Sequence, residues 1–208
     1  MTFEISTELI EKIKLLVQEQ NNAELLLHFE DLHFADIAEI LDEISLEEAT
    51  YIVKLLDSEK TSEALMELEE DVRERILNKL SAKEIAEELE EMDTDDAADI
   101  ISELSEERAQ QVISEMEDEE HAENIVELLR YDEDSAGGLM AKELVRVYED
   151  WTVTGCVAEM RKQAENVTRV HSIYVVDAKE KLKGRLSLKD LLTAKRNAHI
   201  SDIFIPQV

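Results

Sequence analysis

Residues 93–104, DTDDAADIISEL, are followed at once by residues 105–116, SEERAQQVISEM, and this pair decides how the chain folds. Each segment opens on a polar residue suited to start a helix. Each then carries apolar residues at i, i+3, i+4 and i+7: Ala97, Ile100, Ile101 and Leu104, then Ala109, Val112, Ile113 and Met116. That spacing is one stripe of a helix about two turns long. The unit recurs on both sides of the pair. Ile44, Leu56, Leu68, Leu80, Met92, Leu104, Met116 and Leu128 are spaced by twelve, and so are Leu41, Val53, Leu65, Leu77, Leu89, Ile101, Ile113 and Ile125. A fixed period of this kind is the signature of a repeat architecture. Ser45, Asp57, Ser81, Asp93 and Ser105 each follow a stripe by one residue and read as helix N-caps. Ser45/Glu48 and Ser81/Glu84 have the spacing of a capping box. Glu69 and Glu117 hold the same place less well. Helices this short are marginal alone in water, so the units are expected to stack as an α-solenoid around one apolar seam. Two longer helices, near residues 7–20 and 23–30, are expected to cap its N-terminal end.

The chain has 208 residues, 44% of them hydrophobic, enough for one large domain or two modest ones. Its net charge of −30 is uneven: residues 1–136 hold 43 acidic and 10 basic residues, against 9 and 12 from Gly137 onward. Such a surface repels nucleic acid and anionic lipid head groups and attracts cations. No apolar run approaches a membrane span, and the polar opening MTFEISTELIEK is no signal peptide, so the chain as given is expected to be soluble. A single cysteine, Cys156, excludes an internal disulfide and fits a reducing, cytoplasmic compartment.

The texture changes at residues 131–140, YDEDSAGGLM, where the first glycines of the chain stand side by side. Gly137 and Gly138 read as the end of a helix in left-handed geometry and as a hinge. A phosphate-cradling loop is the other possibility, but no G-x-G-x-x-G or G-x-x-x-x-G-K follows. Beyond them, LVRVY and HSIYVVD are strand-like, and TVTGCVAEMRKQAEN between them has helical spacing through Val153, Val157 and Met160. A further strand is expected around Gly184, then a helix at LKDLLTAKRN. The fold class is therefore mainly α: a superhelix of short helices over residues 1–136, then a small α+β unit over 137–200. Residues 201–208 look like the start of an unfinished further unit. Trp151 is expected to pack between the two domains and Cys156 to be inert buried filler. The five histidines are scattered, with His171 a packing or surface residue, and no zinc motif or nucleophile–base arrangement is present. An enzyme is not expected.

The acidic twelve-residue units, the Y-x-E-D-S-A-G-G-L-M joint and the closing YVVDAKEKLKGRLSLKDLL together resemble the cytoplasmic part of MgtE-type magnesium transporters. Tyr131, Glu133, Asp134, Ser135, Ala136, Gly137, Gly138, Leu139 and Met140 carry the most specific likeness, and MDTDDAADIISEL resembles that family's N domain. The resemblance implies a superhelical N domain followed by the first of two CBS (cystathionine-β-synthase) repeats, here with the second only begun. It implies a regulatory region at the cytoplasmic face of the cell membrane, a membrane domain not contained in this sequence, and a homodimer in the intact protein. A fragment of this kind cannot conduct; at most it senses.

In the repeat frame, Asp95 and Asp99 take the second and sixth places after the cap, an i, i+4 pair of like charges that a bound cation would relieve. Glu63 takes the sixth place three units earlier. The family resemblance points to the same carboxylates, with adjacent Asp96, as magnesium ligands at the interface with the CBS region. Magnesium is hard and keeps several waters, so a few carboxylates within reach suffice. Bound magnesium would then favour a compact arrangement that closes the pore. Without the ion, they are solvated acids on a wet face. CBS units often bind adenine nucleotides, and Ser187 and Asp190 form the S-x-x-D pattern that can hold the ribose of ATP or AMP; Ser187 is equally well placed as a helix cap. The alternatives are thus an adenine-nucleotide-sensing CBS module, or an acidic solenoid scaffold for a protein partner.

Overall fold

The computed structural model describes residues 5–132, 135–163 and 172–206. It consists of two compact units, Met1–Met140 and Ala141–Val208.

The first unit contains ten helices among its described residues: α1 (Thr7–Gln18), α2 (Asn22–Phe29), α3 (Phe34–Asp42), α4 (Leu46–Val53), α5 (Ser58–Glu67), α6 (Glu70–Leu77), α7 (Ala82–Leu89), α8 (Thr94–Glu103), α9 (Glu106–Glu115) and α10 (Glu119–Leu128). From α3 to α9 every helix begins twelve residues after the last, as the apolar spacing requires. The caps explain where each begins. Ser45 and Ser81 close complete capping boxes with Glu48 and Glu84. Asp57 and Ser105 accept the backbone N–H three residues on. Glu69 and Asp93 stand at N-cap positions without a side-chain capping bond. The last unit departs from the period: α10 starts one residue late because Asp118, not Glu117, caps it, accepting from the His121 N–H at 3.0 Å. The Glu90 carboxylate, at the end of α7, in turn accepts from the Glu117 and Asp118 amides.

Consecutive helices are not the main packing partners. From α3 onward the main pairings skip one helix: α3 on α5, α5 on α7 and α7 on α9 in one row, α4 on α6 and α8 on α10 in the other. One turn of the superhelix is therefore two units long. Polar side chains cross the same step: Lys54 donates to Glu84 at 2.7 Å, Lys60 to the Phe29 carbonyl at 3.0 Å, and Arg108 to the Leu80 carbonyl. His121 meets the Leu89 carbonyl at 3.1 Å. The seam between the rows is the expected one: Val53, Leu65, Leu77, Leu89 and Ile101 are fully buried, while Ile113, in the last full unit, is only partly covered.

The second unit is β1 (Val145–Tyr148), α11 (Val153–Gln163), β2 (Ile173–Val176), β3 (Leu182–Leu186), α12 (Leu188–Thr193), a 3₁₀ turn at Ile200–Asp202 and β4 (Ile205–Pro206). The sheet order is β1-β2-β3-β4, with β1 parallel to β2 across the α11 crossover and the other pairs antiparallel. Val145, Val147, Ile173, Val175 and Leu186 face inward onto Val153, Cys156, Leu191 and Ile200. The strand–helix–strand–strand–helix order is that expected from the sequence.

The expectations for Trp151 and for the glycine pair are corrected. In the tail from residue 201, β4 pairs with β3 through Ile205–Arg185 at the edge of this sheet. Trp151 packs within its own unit, beside the Tyr148 ring at a centroid distance of 5.2 Å and against the Val145–Ile200 core. The glycine pair does not end a helix, since α10 stops at Leu128, and no glycine among the described residues has positive φ. Close approach is what requires glycine there: a Cβ on Gly137 would lie 2.4 Å from the Tyr131 ring. The first compact unit runs through Met140, which packs on its apolar core. Glu133, Asp134 and His171 lie outside the described residues.

Gly184 faces the backbone of β4, and a Cβ there would meet the Ile205 carbonyl oxygen at 2.1 Å. Gly184→Ala is expected to destabilise the second unit by about 1–3 kcal/mol through overpacking. Hydrogen exchange should show loss of protection in β3 and β4, with α3 to α10 unchanged.

Candidate metal site

The acidic face that sequence spacing singled out is built by α8. Burying Thr94, Ala97, Ala98, Ile100 and Ile101 turns Asp95, Asp96 and Asp99 toward the other side, where each is partly exposed. Asp95 and Asp99 stand one helical turn apart, as expected. Glu63 is presented by α5, whose Thr61, Ser62, Ala64 and Leu65 are buried in the same manner. The carboxyls act on one another. Burial pushes the Asp96 carboxyl up to about 6, and the charges of Asp95, Asp93, Asp99 and Glu63 add to that push. The structure thus joins Glu63 electrostatically to the aspartates of a helix three units further on.

The cation in this neighbourhood is Arg73 of α6. Its guanidinium is forked onto Glu103, with Nε donating at 3.1 Å, and Nη1 donates to the Leu65 and Leu68 carbonyls at 3.2 and 3.1 Å. Asp99 and Glu70 add to the negative field around it and help raise its pKa, after the larger effect of Glu103. Arg73 therefore ties the end of α5 to the end of α8 and borders the acidic face. Among the described residues no three His, Cys, Asp or Glu side chains form a ready group of metal ligands. Glu63, Asp95, Asp96 and Asp99 offer hard carboxylate oxygens that suit a hydrated divalent ion, but as a partial shell.

Asp96 outranks its neighbours here, although spacing alone favoured Asp95 and Asp99. The D-x-D-D run at 93–96 is the available signal; which carboxyl its neighbours push up is not readable from it. Arg73 gave no sequence signal, because its partners lie at the ends of two other helices.

The remaining candidates make local contacts. Ser187 caps α12, accepting from the Asp190 N–H at 3.0 Å while its hydroxyl donates to the Asp190 carboxylate at 2.6 Å. The two residues of the S-x-x-D pattern are therefore turned toward each other. Cys156 is buried, and burial pushes its thiol up to about 11, far from an activated nucleophile.

The model of the MgtE intracellular N domain matches residues 32–134, and that of the CBS domain residues 136–197. The solved cytosolic domain of the Mg2+ channel MgtE in complex with ATP superposes with a TM-score of 0.87 and 32% identity, covering 96% of this chain and 81% of that one. The chain belongs to the MgtE family. A second structure, the soluble part of a magnesium transporter, gives a TM-score of 0.81 at 25% identity over 97% of this chain and 79% of its own. The magnesium transporter MgtE of Thermus thermophilus is 44% identical over 81 residues, 39% of this chain and 18% of that transporter. The Enterococcus faecalis MgtE is 33% identical over 82 residues, with the same two shares. The matched segment is thus a small part of each MgtE transporter, and it lies in a family of transporters rather than of enzymes. No helix among the described residues is long and apolar enough to cross a membrane.

Because the Asp96 carboxyl is raised in the folded state, its contribution to stability is complete below its ordinary value near 3.8 and is lost as pH rises through about 6. Asp96→Asn is therefore expected to raise the Tm of the metal-free protein above about pH 6 and to leave it unchanged below about pH 4. Thermal unfolding of both proteins in chelator across that range checks the sign.

Proposed function

We propose that this chain is the magnesium-sensing regulatory region of a divalent-cation transporter. The observation that supports it best is the convergence of Glu63, Asp93, Asp95 and Asp99 on Asp96, within the segment that matches the MgtE N domain. Like charges held at one turn's spacing repel, and a divalent ion between them removes that repulsion. Asp95, Asp99 and Glu63 would hold the ion, with Asp96 joining once its proton is released. The ion supplies positive charge and, through its retained waters, a bridge to oxygen ligands elsewhere.

A shell left incomplete by the N domain is the physical condition for a sensor. An ion bound equally well in two arrangements shifts neither, whereas one that needs ligands from a second surface favours the arrangement supplying them. In the intact, homodimeric transporter the second surface would be the CBS region, and the favoured arrangement the one with a closed pore. The chain around Gly137 and Gly138 would be the joint that accommodates the change. A second reading, adenine-nucleotide binding at Ser187 and Asp190, is favoured by the ATP complex of the structural relative. It requires the Ser187–Asp190 bond to open toward a ribose.

Small-angle scattering and thermal unfolding at zero and about 10 mM magnesium, above the millimolar range of weak hard-cation sites, distinguish these readings. The expected outcome is a smaller radius of gyration and a higher Tm than sodium gives at equal ionic strength, with both effects lost in the Asp95→Asn, Asp99→Asn double variant. No magnesium response, in this chain and in a version extended through the second CBS repeat, would overturn the proposal. Stabilisation by ATP or AMP alone, lost in Asp190→Asn, would establish the second reading.

A further inference from the structure

A different carboxyl, away from the acidic face of α8, has no explanation in the magnesium reading. Glu88 lies near the end of α7 and is 8% exposed, and its Oε2 atom is buried without a hydrogen-bond partner. A buried, unpaired carboxylate costs far more than a neutral carboxylic acid in the same place. The charges that act most on it are all negative. Glu84 and Glu87 act on Glu88 from its own helix, Glu91 from the turn that follows, and Asp57 from the start of α5.

The basic residues of the packed elements are committed elsewhere. Lys83 of α7 pairs with Glu87 at 3.4 Å. Lys54, after α4, pairs with Glu84 at 2.7 Å. Lys60 of α5 donates to the Phe29 and Glu30 carbonyls. Arg108 of α9 donates to the Leu80 carbonyl, at the opposite end of α7.

We infer that Glu88 forms a proton-binding site within the superhelix, and that release of its proton loosens the packing of α7 on α5. The ligand is the proton itself: a neutral carboxyl needs no partner charge, and it also removes repulsion toward Asp57 at the start of α5. Burial first, then the four neighbouring charges, push Glu88 up to about 8, so the proton is held at neutral pH and released in mild alkali. A raised carboxyl contributes stability that is lost as pH climbs through its folded value. The N domain is thereby weakened by alkali at one defined contact, independently of whether magnesium binds at Glu63 and Asp95–Asp99.

The test is chemical unfolding of the full chain in chelator, for wild type and Glu88→Gln, between about pH 6.5 and pH 9. For a carboxyl near 8, the wild-type unfolding equilibrium constant should rise about tenfold from about pH 7 to about pH 9 beyond any rise in the variant. Hydrogen exchange, corrected for intrinsic pH dependence, should show that extra opening first in α5 and α7. Equal pH slopes in the two proteins, or a flat wild-type profile, would sink the inference. Should Glu88→Gln not fold, Glu88→Met gives the same comparison, since it too lacks the titrating group.

Discussion

A helix of eight to ten residues is too short to persist alone, and the first unit is made of eight such helices in succession, from α2 to α9, with α10 closing the row. Each must give its apolar stripe to a neighbour at once. With twelve residues per unit, a helix and its connection occupy the same length every time, so the chain returns to the same side after two units. That return is why α3, α5, α7 and α9 stack, and why the polar ties join residues about thirty apart, such as Lys54 to Glu84 and Arg73 to Glu103. The period is the constraint on which everything else in this unit depends. It fixes which side chains are buried and, by exclusion, where so many carboxylates must go.

Much of this was legible in the residues. Apolar spacing set the number and order of the short helices, and serines and aspartates marked where they begin. The partner of each helix was not legible, because a stripe says that a face is buried and not what covers it. The late start of α10 rested on a choice between Glu117 and Asp118 that a periodic pattern decides wrongly; the shorter side chain reaches the amide of His121. At the joint, the glycines were read by the commonest reason for glycine, a left-handed residue. The actual reason at Gly137 is the Tyr131 ring against its backbone, a contact between residues whose approach only the folded chain reveals. The pairing of the tail is not legible for a similar reason: a two-residue strand is too short to announce itself, yet Gly184 is left bare to receive it.

Charge in the first unit is managed locally rather than neutralised overall. Glu48 and Glu84 serve as reciprocal caps, and Glu84 is held down to about 2, first by Lys54 and then by the Ser81 amide. Glu90 serves the start of α10 from the neighbouring turn, and Glu103 is spanned by Arg73. These acids have defined donors and contribute to the architecture. They explain how a unit with 43 acidic residues among its first 136 folds around an ordinary core.

Asp96 and Glu88 are the carboxyls that this arrangement pushes up, and their difference is instructive. Both are raised first by burial and then by neighbouring acids. Asp96 stays partly exposed, in a row with Asp95 and Asp99 that solvent reaches, so a hydrated ion can relieve the crowding without stripping all of its water. Glu88 is almost withdrawn from solvent, with its Oε2 atom buried and without a hydrogen-bond partner. A proton is the ligand that needs no room there. On the readings proposed here, the same excess of carboxylate would produce two different sensitivities, to a divalent cation at the surface and to pH in the interior, according to how far each side chain is withdrawn from water.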